Sequence, residues 1–180
     1  MRVISGSARG VRLLTPEGLN TRPTADRVKE GVFSALQFDL PGRHALDLFA
    51  GTGQLGIEAL SRGAAECVFV DAAEPAVKLV RENLKRAKFS DQSAVVRAQY
   101  DAYLRSCGRK FDLIFLDPPY KENYLEMSLH IISEIDILSD GGIIVCERPA
   151  EKQLDCDFDG SMRSKDYRYG KTFVTIFRKD

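Results

Sequence analysis

A chain of 180 residues, 44% hydrophobic and 29% charged, is long enough for one compact domain with a good core and leaves little room for a second. These fractions exclude disorder, collagen-like repeats and coiled coil. No apolar run approaches the ~20 residues of a membrane helix, and the N-terminus MRVISGSARGVRLL lacks the apolar stretch of a secretory signal. With Cys67, Cys107, Cys146 and Cys156 scattered and no CxxC spacing, the thiols read as reduced and the protein as cytoplasmic. Basic and acidic side chains balance at 26 each, but not locally. Residues 1–29 carry a net +4, residues 161–180 another +4, and the middle therefore −8. Clustered basic ends are an electrostatic footprint for phosphate, whatever the total.

In chain order, residues 1–14 read as two short strands around a Ser5–Gly10 turn, followed by an irregular stretch through Pro16, Gly18 and Pro23. A helix is predicted from Thr24, as N-cap with Asp26 in the first turn, through Val28, Val32 and Leu36 to Pro41-Gly42. From about 44 to 147, short apolar runs alternate with helix-patterned stretches. ALDLF (45–49), CVFVD (67–71), SAVVRA (93–98), FDLIFLD (111–117) and GIIVCE (142–147) read as buried strands. GQLGIEALSRG, EPAVKLVRENLKRAK, YDAYLRSC and KENYLEMSLHIISEIDIL read as the helices between them. The second places Val77, Val80, Leu84 and Ala87 on one face. Alternation of this kind predicts an α/β fold with a mostly parallel sheet, right-handed crossovers and helices on both faces. From Asp155 on, breakers at Gly160 and Tyr169-Gly170 and the strand TFVTIFR predict an antiparallel hairpin closing the sheet.

After the first strand, Gly51, Gly53 and Gly56 satisfy GxGxxG, and Asp71 ends the next strand 20 residues beyond Gly51. By spacing this is a dinucleotide fingerprint, with Asp71 for the ribose hydroxyls. Asp47 argues otherwise: a carboxylate entering the turn is repelled by pyrophosphate and favoured beside an ammonium and a sulfonium. The pattern D-x-F-x-G-x-G with an acid ending the next strand resembles the S-adenosylmethionine site of class I methyltransferases.

At the end of the fourth strand stands Asp117-Pro118-Pro119-Tyr120. In the strand order 3-2-1-4-5 it faces the glycine loop across the crevice where open α/β sheets bind ligands. An exocyclic amine on a base is a poor nucleophile because its lone pair is delocalised into the ring. The Asp117 carboxylate and the Pro118 carbonyl can each accept one N–H and aim the lone pair, which is positioning plus electrostatics. Tyr120 offers a face for an unstacked base. DPPY specifies an amine, without saying whether adenine, cytosine or guanine carries it. His44 and His130, far apart and without neighbouring ligands, give no metal site and no nucleophilic triad.

Taken with these motifs, Gly6–Leu13, Thr21-Arg22-Pro23-Thr24-Ala-Asp26-Arg27-Val28-Lys29-Glu30, LDLFAGTGQLGIEALSRGA (46–64), GGIIVCERP (141–149) and YGKTFVTIFR (169–178) make the whole chain resemble the RsmD-type 16S ribosomal RNA (guanine-N2) methyltransferases. The resemblance implies a seven-stranded Rossmann-like domain over 24–180 with an antiparallel C-terminal strand. It also implies a basic RNA-binding β-hairpin arm over 1–23. The implied reaction is methylation of guanine 966 during small-subunit assembly, using S-adenosylmethionine, releasing S-adenosylhomocysteine and needing no metal. By position, Asp47, Gly51 and Gly53 would cradle the methionine part of the cofactor, Asp71 the ribose and Asp101 the adenine amine. Asp101 also reads as a solvated acid at a helix start. Arg9, Arg12, Arg22 and Lys29 would contact phosphates of 16S rRNA or an assembly intermediate, which position without specifying. The default is a monomer that meets no membrane. Three other readings are a DNA amino-methyltransferase acting on adenine N6 or cytosine N4, a non-catalytic RNA-binding assembly factor, and a nicotinamide-dependent oxidoreductase.

Overall fold

The computed structural model describes residues 1–16, 23–119, 123–151, 154 and 160–180. Arg22, Tyr120 and Cys156 lie outside the described residues. Helix α1 spans Pro23–Ala35, followed by β1 (His44–Asp47), α2 (Gln54–Ser61), β2 (Glu66–Asp71), α3 (Glu74–Ala87), β3 (Ser93–Arg97), α4 (Tyr100–Ser106), β4 (Phe111–Leu116), α5 (Tyr124–Ile135), β5 (Leu138–Pro149), β6 (Met162–Tyr169) and β7 (Thr172–Lys179). The strands form one sheet in the order β3-β2-β1-β4-β5-β7-β6. β1 to β5 are parallel, and β7 runs antiparallel to both β5 and β6. The α/β architecture and mostly parallel sheet are those expected from the alternation of strands and helices, and the seven Rossmann-like strands with an antiparallel C-terminal strand are those the family resemblance implies.

Each central strand sends alternate side chains to opposite faces, as the period of two requires. Ala45, Leu113, Phe115, Ile143 and Val145 pack with α1, α2, α3 and the N-terminal segment. Leu46, Ile114, Leu116, Ile144 and Cys146 pack with α4 and α5. The short α2 is buried over six consecutive residues, Gly56 to Ser61, because the sheet covers one side and the N-terminal segment the other. That double cover is what takes Glu58 and Ser61, polar residues on a helix, out of solvent.

Four details differ from the sequence reading. The first helix already includes Pro23, so Thr24 stands inside it instead of capping it; proline's fixed φ and missing N–H suit a first turn. That helix ends at Ala35, with turns from Leu36 to Asp39 where it was expected to continue. The two expected N-terminal strands reduce to a single antiparallel bridge, Arg2 with Arg12. The fifth helix stops at Ile135, where Asp136 takes a left-handed conformation (φ 49), and β5 begins at Leu138, four residues ahead of the expected run. An irregular register between Phe111 and Leu113 accommodates the added residues. Finally, β3 is only half-buried, because it forms an edge of the sheet.

The N-terminal segment is held by side chains far away in sequence. Glu58 accepts the N–H groups of Ile4 and Ser5 at 2.8 and 3.0 Å. The Ser61 hydroxyl accepts from Ala8 N–H at 2.9 Å and donates to the Ser5 carbonyl at 2.6 Å. Asn83 on α3 accepts Leu14 N–H at 2.7 Å and donates to the carbonyls of Leu14 and Thr52, at 3.0 and 2.8 Å. Gly6, at φ +88, lies so close that a Cβ would fall 1.7 Å from the Ser61 carbonyl oxygen, so no other residue fits there. Val3, Ala8 and Leu13 complete the attachment by entering the same core as α1.

Candidate active site

The parallel strands end along one edge of the sheet, and a cavity of about 610 Å³ opens there. Its wall is drawn from the ends of four neighbouring strands: Leu48, Phe49 and Gly51 after β1, Asp71 and Ala72 at the end of β2, Ala98 to Tyr100 after β3, Asp117 to Pro119 after β4, and Tyr124 at the start of α5. The expected juxtaposition of the glycine loop with the DPP segment is therefore present. β1 lies between β2 and β4, so the two segments hang from neighbouring strands.

Within the loop each glycine answers a separate constraint. Gly51 and Gly53 sit at positive φ (54 and 78), and Gly53 opens α2 in the left-handed region. A Cβ on Gly56 would come within 2.3 Å of the Phe69 ring, so α2 could not approach β2 with any larger residue. Asp71 stands in the cavity wall and fixes the loop: one carboxylate oxygen accepts Gly51 N–H and the other accepts Ala73 N–H, both at 2.9 Å. Each oxygen keeps a further lone pair for a ligand hydroxyl.

Asp47 departs from expectation. It is buried beneath the loop and accepts Gly56 N–H at 3.1 Å, and it does not line the cavity. Burial pushes its carboxyl up to about 7, opposed by that N–H and reinforced by the charge of Asp71. Asp117 is half-buried at the cavity floor, and burial together with Glu147 and Asp47 raises its carboxyl well above the usual carboxylate range. Glu147 was not anticipated. The pairing of Leu116 with Cys146 puts it beside Asp117 on the neighbouring strand. Asp101 is exposed, its carboxylate accepting Ala102 N–H at 2.8 Å, while Gln99 and Tyr100 form the wall at that point.

An aromatic cluster also escaped the sequence reading. Phe49, Tyr100 and Tyr124 all line the cavity, with ring centroids 5.1 to 6.2 Å apart. Phe49 follows β1, while Tyr100 and Tyr124 open α4 and α5, and their shared placement on strand-to-helix connections at one edge of the sheet is the signal that could have joined them. Among the described residues no group of three or more His, Cys, Asp and Glu side chains could hold a metal ion.

The basic residues part company. Arg9 and Arg12 are exposed on the N-terminal segment. Lys29 is not on the surface at all: its side chain is 2% exposed, donates to the Arg2 carbonyl at 2.6 Å and pairs with Glu58 at 3.6 Å. Desolvation lowers its pKa despite that pair. It cannot serve as a phosphate contact; it holds the segment onto α1.

Fold and site together define a class I methyltransferase. The chain matches the family model described as Conserved hypothetical protein 95 over residues 1–178 and belongs to that family, the RsmD-type methyltransferases. Its similarity to YlbH of Bacillus subtilis (strain 168), provisionally named an rRNA methyltransferase, is 41% identity over 182 residues, covering 99% of each chain. It is 32% identical to ribosomal RNA small subunit methyltransferase D of Escherichia coli (strain K12) over 154 residues, covering 86% of this chain and 77% of that one. Among solved structures, the Escherichia coli protein yhhF, provisionally described as a methyltransferase, superposes with a TM-score of 0.90 at 26% identity, covering 100% and 98% of the two chains.

Proposed function

We propose that the protein transfers a methyl group from S-adenosylmethionine to the exocyclic N2 amine of a guanine in 16S rRNA during small-subunit assembly. The observation that carries this reading is the single cavity joining Gly51 and Asp71 to Asp117 and Pro118. The names of the relatives from Bacillus subtilis and Escherichia coli support the rRNA substrate.

The residues present suit the cofactor. A Cβ on Gly51 would meet nothing closer than the Phe49 carbonyl oxygen at 4.0 Å and would stand toward the cavity, so its absence lets the backbone approach a ligand closely. Asp71 offers carboxylate lone pairs at the wall. Gln54, first residue of α2, buries its side-chain oxygen without a hydrogen-bond partner, an acceptor suited to an ammonium donor. Gly51, Gly53 and Gln54 would hold the methionine part and Asp71 the ribose. Asp47 would act from below, as a buried charge. When bound, the cofactor supplies an electrophilic methyl on a positively charged sulfur.

The chain's own residues do the rest. Asp117 and the Pro118 carbonyl accept the two N–H groups of the target amine and turn its lone pair into the cavity. A cation in the cavity counters the repulsion from Glu147 and Asp47 and favours the ionised form of Asp117. Its raised pKa also suits it to take the proton that the amine sheds once alkylated. The rings of Phe49, Tyr100 and Tyr124 at the cavity wall would stack an unstacked base, the role expected of Tyr120. Residues 1–23, through Arg9, Arg12 and Arg22, would hold RNA phosphates, while 24–180 carry the transfer. The protein is taken to act as a monomer in the bacterial cytoplasm.

The test is incubation with methyl-labelled S-adenosylmethionine and small-subunit rRNA or assembly particles lacking the modification. Label is expected in guanine, with loss of at least about 100-fold in Asp117→Ala, since both positioning and electrostatics go with the carboxylate. Transfer by the unaltered protein should fall with acid through a pKa above the ordinary carboxylate range, because only ionised Asp117 accepts the amine fully. Label in duplex DNA and none in RNA would overturn the reading, as would full activity in Asp117→Ala.

A further inference from the structure

A second cleft, of about 530 Å³, lies between the N-terminal segment and α1. It sits on the face of the sheet covered by α1 and α2, toward the end of α2 that carries Ser61 and Arg62, so about 12 Å of helix separates it from the glycine loop. Its charged lining is Arg2 and Arg9 from the segment, Asp26 and Glu30 from α1, and Arg62 capping the end of α2. Arg62 is committed: it donates to Glu58 at 2.9 Å and lies over the Phe33 ring at 5.1 Å. Arg2 and Arg9 are exposed and have no side-chain partner among the described residues, and Glu30 across the cleft has none either. Opposite charges sharing a small cleft normally pair when they can reach, yet Arg2 and Arg9 form no ion pair with Asp26 or Glu30. The cleft thus presents cations on one wall and carboxylates on the other.

Ser34 and Gln37 add neutral donors and acceptors. Phe38, next to Gln37 in the chain just past the end of α1, is 90% exposed, while Phe33, Phe69, Phe111 and Phe115 are fully buried. Its solvent-facing ring contributes nothing to the core. A cationic wall, a carboxylate wall and a free aromatic ring match the three parts of a ribonucleotide. Guanidinium groups take the phosphate. Carboxylates accept base amino and imino N–H groups. An aromatic face stacks a base.

We propose that this cleft receives a second unpaired nucleotide of the RNA substrate, with Arg2 and Arg9 on its phosphate and Glu30 and Asp26 on the amino edge of its base, and that the exposed ring of Phe38, one residue beyond the lining residue Gln37, stacks on the RNA next to it. The inference rests on the proposed function, since it takes RNA as the partner. It makes the segment one wall of a nucleotide pocket whose second wall is the acidic side of α1. A base bearing amino and imino donors, guanine above all, fits that wall best.

The probe is naked 16S rRNA lacking the modification, with affinity measured across a salt series for the full-length protein and for Arg2→Ala/Arg9→Ala, Glu30→Gln and Phe38→Ala. All four residues are exposed or at the cleft surface, and a thermal unfolding curve for each variant verifies the fold. The double arginine variant should bind about 10-fold more weakly, with the salt slope reduced by about 1.5 for two lost phosphate contacts on a single strand. Phe38→Ala should weaken binding several-fold without changing that slope. Glu30→Gln should relax base preference at one nucleotide, read by crosslink mapping. Affinity for S-adenosylmethionine should stay level throughout. If the unaltered protein methylates RNA while all variants bind it with unchanged affinity and slope, the cleft is wrong and the proposed function stands. Variants that bind naked rRNA normally but fail on assembled particles would make the occupant a ribosomal protein and overturn the nucleotide. Failure of the unaltered protein to bind either naked rRNA or assembly particles would overturn both; binding to particles alone, unchanged in every variant, would overturn only the cleft.

Discussion

The two faces of the sheet are held by different physics. Beneath α4 and α5, side chains such as Leu104, Leu125, Leu129, Ile131 and Ile132 pack on Leu46, Ile114, Leu116 and Ile144, and Ser128 is the buried polar residue of α5, bonded within its own helix to the Tyr124 carbonyl. On the other face, apolar packing is threaded with buried Lys29, Glu58, Ser61 and Asn83, each bonded to the N-terminal segment or to a partner that is. The difference follows from what each face must hold. A helix satisfies its own backbone and needs only burial, which is non-directional. A segment with one bridge brings unpaired N–H and C=O groups, which must find side chains or stay in water.

The largest expected effect breaks the polar face at its centre. Glu58→Ala leaves Lys29 buried without its carboxylate and two backbone N–H groups without acceptors, and should cost about 3–5 kcal/mol in urea unfolding. Leu129→Ala on the apolar face should cost about 2–5 kcal/mol by transfer and cavity terms. Proteolysis separates the two: Glu58→Ala should expose residues 1–14 to cleavage, and Leu129→Ala should not. Equal protection in both would mean that the polar contacts do not secure the segment.

Next comes a buried carboxyl with too few partners. Asp47 accepts a single backbone N–H, where Glu58 accepts two as well as the Arg62 guanidinium. Its pKa is raised to about 7, so its contribution to stability is full below the ordinary carboxylate range and is lost as pH rises through 7. Asp47→Asn removes the charge and should therefore stabilise the ligand-free protein above pH 7, by at most about 4 kcal/mol. The gain should vanish near pH 4 and be accompanied by weaker S-adenosylmethionine binding. Melting temperatures at pH 4 and pH 8, with one titration, check both signs.

The smallest effect lies at the surface. Lys110 and Lys179, each 2.7 to 2.8 Å from Asp136, hold its carboxyl down to about 2. A depressed carboxyl contributes stability above the ordinary range and loses it as pH falls toward 2. Asp136→Asn keeps a residue that tolerates the left-handed backbone and loses only an exposed ion pair, so its melting point at pH 7 should fall slightly and match the unaltered protein's near pH 2. The acid limb of the pH profile should flatten by that same small amount.

Much of the fold was legible because strand and helix periods are local. The apolar runs named β1, β2, β4 and the turn chemistry named the glycine loop. β5 was misjudged at its start because Leu138 and Ile137 continue an apolar pattern that a helix would also show, and only the left-handed turn at Asp136 ends it. The cavity was legible at Gly51, Asp71, Asp117 and Pro118 for the same local reason. Glu58, Ser61 and Asn83 were not, since their partners lie 53 to 69 positions away. Lys29 was misjudged in the same way. A lysine beside Arg27 and Glu30 reads as surface until α2 is placed against it.

The three hydrogen bonds of Asn83 have a practical consequence for dissection of the molecule. Its amide joins Leu14 to the carbonyl of Thr52, so the end of the N-terminal segment and the glycine loop share one support. Cutting the chain after residue 14 would not yield the same enzyme without an appendage. It would open the hydrophobic interior where Val3, Ala8 and Leu13 had been, orphan the carboxylate of Glu58 and slacken the turn that shapes the cofactor end of the cavity. A truncated protein that lost activity would say nothing about RNA. Modularity here ends at the level of single exposed side chains, and only substitutions at that level can separate holding the substrate from building the catalyst.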